Sequence, residues 1–306
     1  MSDAPKTFLS TREVAELLDV NEKVVYSLIS EKGLPACKVT GKWIFPRHLV
    51  EAWVDSHVIN YPSRAGISPA GDPLIIAGSN DPLLERTIAL FNSRFPDHLC
   101  VFGSTGSLGG LRALNRGRCH MATSHLMHGD EQEYNFAYLS EHIQGPLPVV
   151  VNFCFREQGI IVAPGNPAKI RGVADLARPG IRLANRPEGT GTRLLLEHEL
   201  HKANIDPAGI AGFRREFPTH LAVAFEVLAG RADAGMGIRA VAALLGLDFI
   251  AVRRERYDFL VSRDLFFERS IQRFLGLLQE KEFRRVAETF QGYDVRLCGR
   301  ITYAGE

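Results

Sequence analysis

The sequence is poor in the residues that staple a chain or anchor it in a membrane. It holds five cysteines in 306 residues (Cys37, Cys100, Cys119, Cys154 and Cys298). Their number is odd, they are scattered and no CxxC pair occurs, so neither a disulfide framework nor a zinc knuckle is signalled. Idle thiols in a reducing compartment are expected. No apolar run approaches the roughly 18 residues needed to span a bilayer. The start, MSDAPK, lacks the apolar core of a secretory signal. A cytoplasmic protein without membrane contact is therefore expected. Net charge is nearly absent as well. With 36 Lys+Arg against 35 Asp+Glu it is +1, which excludes a polycation that coats nucleic acid. There is no HExxH and no GxSxG. His198 and His201, three apart on a predicted helix, come nearest to a metal pair. His120, His125, His128, His142 and His220 form no ligand pattern, and Cys119 beside His120 is poor geometry for a dyad. No metal, no cofactor and no enzymatic activity is expected.

What remains is ordinary soluble composition, 45% hydrophobic and 23% charged. At roughly 100–200 residues per domain, the length suggests two domains. Residues 60–72, NYPSRAGISPAGD, carry two Pro, two Gly and two Ser and read as linker. The expected division is a small domain over 1–58, a linker over 59–72 and a larger domain over 73–306.

In the small domain Ser10 or Thr11 can cap a helix, with Glu13 or Glu16 completing a capping pattern. Val14, Leu17 and Leu18 follow at helical spacing. Asn21 can cap a second helix with Val24, Val25, Leu28 and Ile29 inward. Gly33 ends it and Pro35 forbids continuation. Two short helices so joined predict a helix-turn-helix. Cys37–Phe45 then predicts two short strands around a Thr-Gly-Lys turn, and Pro46 opens a third helix with Leu49, Val50, Trp53 and Val54. Seven basic residues meet eight acidic ones in 1–58, a net of −1, yet Lys32–Arg47 holds four cations and no acid. That segregation puts the cations on the end of the second predicted helix and on the strand pair that follows it. The series T-x-E-V-A-E-L-L-x-V-x-x-x-V-Y-x-L-I, G-L-P, K-V-x-G-K-W-x-F and L-x-A-W resembles the excisionase/MerR-type winged helix-turn-helix domain over nearly all of residues 8–54. The resemblance implies double-stranded DNA as partner. It also implies a major-groove helix, with Asn21, Lys23, Tyr26, Ser27, Lys32, Lys38 and Lys42 as DNA-facing residues. Low basicity makes a single module weak, so a homodimer is expected.

From Pro73 strands and helices alternate, which predicts an α/β domain with a mostly parallel sheet. Ligands in such sheets bind at the carboxyl ends of strands. Three loops there are rich in small and hydroxyl residues: Ala77–Asn80, Gly103–Ser107, and Asn185–Arg193 (NRPEGTGTR). Glycines permit close approach, helix N-termini offer free N–H groups and hydroxyls add donors, which suits an anion. The motifs A-G-S-N-D-P-L-L, F-G-S-T-G-S-L-G-G-L, N-R-P-E-G-T-G-T-R-L-L-L and T-H-L-A-V-A-x-x-V-x-x-G-R-A-D-A-G-x-G-I resemble the type II periplasmic-binding-protein fold, most closely its molybdate-binding-like branch. The resemblance spans about residues 73–290. It implies two lobes, one of about 73–158 and 238–306 and the other of about 159–237, with the ligand between them. It assigns Ser79, Ser104, Thr105, Gly106 and Ser107 from the first lobe, and Thr190, Gly191, Thr192 and Arg193 from the second. The tyrosine that touches the anion in transport relatives falls at or near Ile238 and is lost. Arg193 either binds the anion or pairs with Glu188 or Glu197. The expected function is a one-component transcriptional regulator that senses an oxyanion, molybdate or tungstate first. The alternatives are a cytoplasmic oxyanion-delivery protein whose winged domain docks a protein, and a sensor of sulfate, phosphate or a carboxylate.

Overall fold

The computed structural model describes residues 6–39, 41–57, 73–127 and 134–303. The chain divides into two compact units, Met1–Ser68 and Pro69–Glu306. The expected linker and His128 lie outside the described residues.

In the first unit Ser10 ends a short strand, β1 (Phe8–Ser10), and caps α1 (Thr11–Leu18). Its hydroxyl accepts from the Glu13 N–H while the Glu13 carboxylate accepts from the Ser10 N–H, a reciprocal capping box. Asn21 caps α2 (Glu22–Lys32) through Val24 N–H, and Gly33 closes it at φ 67°. Strands β2 (Cys37–Val39) and β3 (Lys42–Pro46) form the wing, and α3 (Arg47–Ser56) follows. Pro46 ends β3 rather than opening the helix. The sheet order is β1-β3-β2; three residues were too few for β1 to show in the sequence. Leu9, Val14, Ala15, Val25, Leu34, Phe45 and Val50 form the core, with Trp43 and Trp53 packed against it. Val24 and Leu17 point outward instead.

The second unit opens with β4 (Leu74–Gly78), α4 (Pro82–Arg94), β5 (Cys100–Ser104), α5 (Gly106–Asn115), β6 (Met121–Ser124) and α6 (Phe136–His142). A long strand, β7 (Val149–Val162), leads to β8 (Leu183–Ala184), α7 (Gly191–Lys202), α8 (His220–Leu228), β9 (Ala234–Ile238) and α9 (Arg239–Leu244). A second long strand, β10 (Asp248–Val261), returns to α10 (Arg269–Leu277), α11 (Lys281–Glu288), β11 (Tyr293–Asp294) and β12 (Ile301–Tyr303). The sheet order is β5-β4-β6-β10-β7-β9-β8, with β11 and β12 on β7.

The expectation of a mostly parallel sheet is corrected. Among the described residues β4–β5, β4–β6 and β8–β9 are parallel. The other pairings, including β6–β10, β7–β10 and β7–β9, are antiparallel. The reason is the route between lobes. The chain crosses in β7 and comes back in β10, and the two run antiparallel along their length. Cores divide accordingly. Leu74, Phe91, Phe153, Phe259 and Phe274 belong to one lobe, and Ile160, Leu183, Leu196 and Met236 to the other. Ala240, Val241 and Leu247 pack with Ile161 and Val223, so the return falls inside β10 rather than at residue 238. Register shifts at Ala251/Arg253 and Tyr257/Asp258 bracket the crossing. Arg156, Gln158 and Glu255 lie within it.

Candidate functional site

The strand β4 ends at Gly78, whose φ of 141° brings the backbone against Thr123; a Cβ there would sit 2.2 Å from the Thr123 carbonyl oxygen. The turn presents Ser79, Asn80 and Asp81, all buried. Asp81 caps α4 by accepting from Leu83 and Leu84 N–H, behind Pro82 at the first helical position. Thr105 N–H donates to Gly78 O at 2.9 Å, so the second loop lies beside the first. Ser104 and Thr105 are exposed, and Thr105 makes no side-chain cap; Gly106 and Ser107 are buried.

The loop of the other lobe closes onto these. Leu108 N–H donates to Gly189 O at 3.3 Å. Gly191 lies so near the His125 ring that a Cβ would meet it at 2.6 Å. Thr190 spends its hydroxyl locally: it donates to Pro187 O and accepts from Arg193 N–H. Arg193 is turned into its own lobe. It pairs with Glu197 at 2.6 Å and Glu216 at 3.4 Å, donates to Phe213 O, and stacks over the Phe213 ring. Of the two carboxylates the sequence offered Arg193 as partners, Glu188 and Glu197, the pairing with Glu197 is the one present.

His125, which follows β6, is the hub of the arrangement. Its Nδ1 lies 2.8 Å from a Glu255 oxygen and its Nε2 lies 3.0 Å from the Ser79 hydroxyl. Its backbone N–H donates to Ser107 Oγ. Gln158 donates to the same Glu255 oxygen at 2.5 Å. Arg156 donates to Glu255 at 2.6 Å and to Asp81 at 2.5 Å. Tyr293 donates to Asp81, and Tyr257 to Ser79 O. Arg186, just beyond β8, reaches across the lobes: Nη2 donates to Asn80 Oδ1 at 3.1 Å, and Nη1 donates to Phe217 O at 2.9 Å.

Several buried polar atoms of this cluster have no partner. They are Arg156 Nη2, Arg186 Nε, Thr192 Oγ1, Gln158 Oε1 and both ring nitrogens of His220 at the start of α8. Burial without a partner costs about 1–3 kcal/mol per group, more for charged ones. Arg186 and Arg156 are each 1% exposed, and among the described residues no carboxylate pairs with Arg186. Burial, seconded by the Arg156 charge, pushes the Arg186 guanidinium down to about 10. Burial opposes the Arg156 charge too, but Glu255 and Asp81 raise it well above its ordinary value. Burial drives His220 well below the usual histidine value, aided by Arg186 and Arg156. It lowers His125 also, against the pull of Glu255. Burial works against the Glu255 carboxylate, yet His125 and Arg156 outweigh it and hold Glu255 below its usual value.

Sequence reasoning left Arg156, Gln158 and Glu255 unnamed; it placed Asn80 and Arg186 in the anion-suited loops without giving either a role, and weighed His125 and His220 only as metal ligands. One signal was available: the polar run Arg156-Glu157-Gln158 interrupts a strand that is apolar elsewhere except at Asn152, VVVNFCFREQGIIV. Among the described residues no group of three His, Cys, Asp or Glu could hold a metal ion, and no helix is long and apolar enough to cross a membrane. Cys37 is exposed and the other four thiols are buried. Burial pushes Cys100 and Cys298 up to about 12 and Cys119 to about 11.

In the first unit Lys23, Tyr26, Lys32, Lys38 and Lys42 are exposed and Ser27 half-buried. The four lysines have no carboxylate partner among the described residues. Lys38 lies over the Trp43 ring at 5.6 Å. The Asn21 side-chain oxygen is spent on its cap.

Comparison with known proteins agrees with this division. A helix-turn-helix domain family matches residues 8–58, and the PBP superfamily domain matches residues 88–279. The uncharacterized protein YvgK of Bacillus subtilis is 28% identical over 298 residues, covering 94% of this chain and 96% of that one. A tungstate ABC transporter structure from Geobacter sulfurreducens superposes with a TM-score of 0.52 at 13% identity, over 72% of this chain and 99% of that one. A putative phosphate ABC transporter substrate-binding protein with bound phosphate, from Clostridium perfringens, gives 0.51 at 14%, over 71% and 97%. The regulatory domain of MetR, a LysR-family regulator from N. meningitidis, gives 0.50 at 15%, over 73% and 99%. At such identities the structures share the fold alone. The chain belongs to the PBP superfamily and carries that ligand-binding domain behind an N-terminal helix-turn-helix domain.

Proposed function

We propose that the protein is a one-component transcriptional regulator whose DNA affinity responds to a small anion held between the two lobes. One observation carries the reading. Arg186, buried and without a carboxylate partner among the described residues, reaches from one lobe to Asn80 of the other, and Arg156 on β7 and Thr192 at the start of α7 hold buried donors with no partner. An anion accepting from both lobes would favour the closed form, because those contacts exist together only there. Exposed lysines on α2 and the wing fit phosphate contacts of a DNA reader, and a homodimer would add the affinity that one weakly basic module lacks.

Tungstate or molybdate is the first ligand to try. The sequence resemblance supports it, and a tungstate transporter shares the fold. Two buried arginines favour a second ligand class, phosphate or a carboxylate, since guanidinium groups match such anions bidentately. Ser79, His125 and Glu255 also stand in the order of a nucleophilic relay, but Glu255 is shared with Arg156 and Gln158, and a binding role uses the same bonds. Calorimetric titration with tungstate, molybdate, sulfate, phosphate and small carboxylates tests the reading. Micromolar or tighter binding of one class is expected. Silence across the panel would contradict it.

A further inference from the structure

The direction of the bond between Ser79 and His125 can be worked out. Glu255 is ionised and can only accept; Gln158 Nε2, 3.1 Å from His125 Nδ1, donates to that same Glu255 oxygen at 2.5 Å, so Nδ1, 2.8 Å from the oxygen, carries a proton of its own. In neutral His125 the other nitrogen, Nε2, is then a bare acceptor. Ser79, at 3.0 Å, donates its hydroxyl proton to it. With His125 neutral, the Ser79 hydroxyl has only lone pairs left to offer and repels an anion, although the family resemblance makes that hydroxyl a ligand. A second proton on His125 reverses the bond. Nε2–H then donates to Ser79 Oγ, and the Ser79 proton is free for the anion.

Charge points the same way. Asp81 and Glu255, both bonded to Arg156, bring the summed charge of the cluster with Arg186 to zero, so a dianion bound among these buried groups would leave two net negative charges. A proton on His125 halves that excess. The neighbours of His125 decide where the proton goes. From β7 Arg156 faces it, from beyond β8 Arg186, from α8 His220, and from β10 Glu255 and the edge of the Tyr257 ring. His125 alone of the two histidines touches a carboxylate. His220 has none and is surrounded by cations.

We infer that the cleft takes a fully ionised oxyanion together with one proton, and that His125 holds the proton between Glu255 and Ser79. This rests on the anion-binding reading above. With neutral His125 in the empty protein and protonated His125 in the complex, affinity falls as pH rises, by about tenfold per pH unit.

The test uses the full chain and tungstate, followed by molybdate and sulfate if tungstate does not bind. Titration in two buffers of unlike ionisation enthalpy should show one proton taken up per anion at neutral pH. Glu255→Gln should weaken binding and abolish the uptake. Because Arg156 leans on Glu255, that variant is backed by a measurement on the wild type. The nitrogen-15 resonances of His125, assigned by comparison with His125→Gln, should report the Nδ1–H tautomer when empty and the doubly protonated ring when bound. Binding without proton uptake, or an Nε2–H tautomer in the empty protein, would overturn the inference and leave the anion-binding reading standing. Uptake with His125 still neutral would assign the proton elsewhere and equally overturn it. Failure of every anion to bind would remove both.

Discussion

At the residue scale Arg186 is the most diagnostic side chain. It is a buried cation whose partners are carbonyl oxygens, an arrangement that costs stability and that, on the proposed reading, an anion would relieve. Arg186→Met should lower anion affinity by about 10- to 100-fold, as expected for a hydrogen bond to a charged group. The same change should leave the empty protein no less stable, and more stable by about 1 kcal/mol, because a buried unpaired charge is removed. Thermal melts with and without anion check both halves; wild-type affinity would place the site elsewhere. The two buried histidines predict a pH dependence. Their folded values are lowered, so between the unfolded value of about 6.5 and the lowered ones the unfolded chain binds more protons. Stability of the empty protein is fully present above that value. It should fall as pH drops below it, by up to about 1.4 kcal/mol per pH unit for each histidine. Denaturant titrations at stepped pH measure this, and His220→Gln should remove one histidine's share. Residues such as these were hidden in the sequence for a physical reason. His125, Arg156, Arg186, His220 and Glu255 come from five separate segments, and only the tertiary fold makes them neighbours. Ser79, Gly106, Ser107 and Gly191 were legible, since glycines and hydroxyls before a helix leave a local signature.

At the scale of elements, the start of α7 holds a capping hydroxyl and an unpartnered one within three residues. Thr190 caps the helix through Arg193 N–H, so Thr190→Ala should cost about 1 kcal/mol of stability. Thr192 has a buried hydroxyl with no partner, so Thr192→Val should leave the empty protein as stable and weaken anion binding. If Thr192→Val binds normally, that hydroxyl serves no ligand. In the helix-turn-helix unit, Lys23→Ala and Lys42→Ala should each weaken DNA binding and lower the salt slope by about one unit, with anion affinity intact; an unchanged slope would deny those phosphate contacts. The helices here were readable because caps are local: Ser10, Asn21, Asp81 and Thr190 each stand where their side chains bond the first turn. The sheet was not. Strand direction depends on which lobe the chain is entering, and the apolar runs of β7 and β10 look alike in a parallel or an antiparallel sheet.

At the scale of the whole molecule, a helix-turn-helix domain and a PBP superfamily domain reside in one chain, and the proposed regulator requires their two functions to be coupled. Linkage makes the coupling reciprocal: an anion that changes DNA affinity by some factor has its own affinity changed by that factor when DNA is bound. The fold supplies the means. Both crossings between lobes run through β7 and β10, and Arg156, Gln158 and Glu255 sit on those crossings, so on the proposed reading closing the lobes would also assemble the site. The direct measurement is a mobility shift of the wild-type protein on the DNA upstream of its own gene, with and without a saturating concentration of the anion that calorimetry identifies, repeated with Arg186→Met. A several-fold anion-dependent change in DNA affinity, lost in Arg186→Met, is the predicted result. Equal affinity with and without the anion would contradict the switch even if both activities proved real.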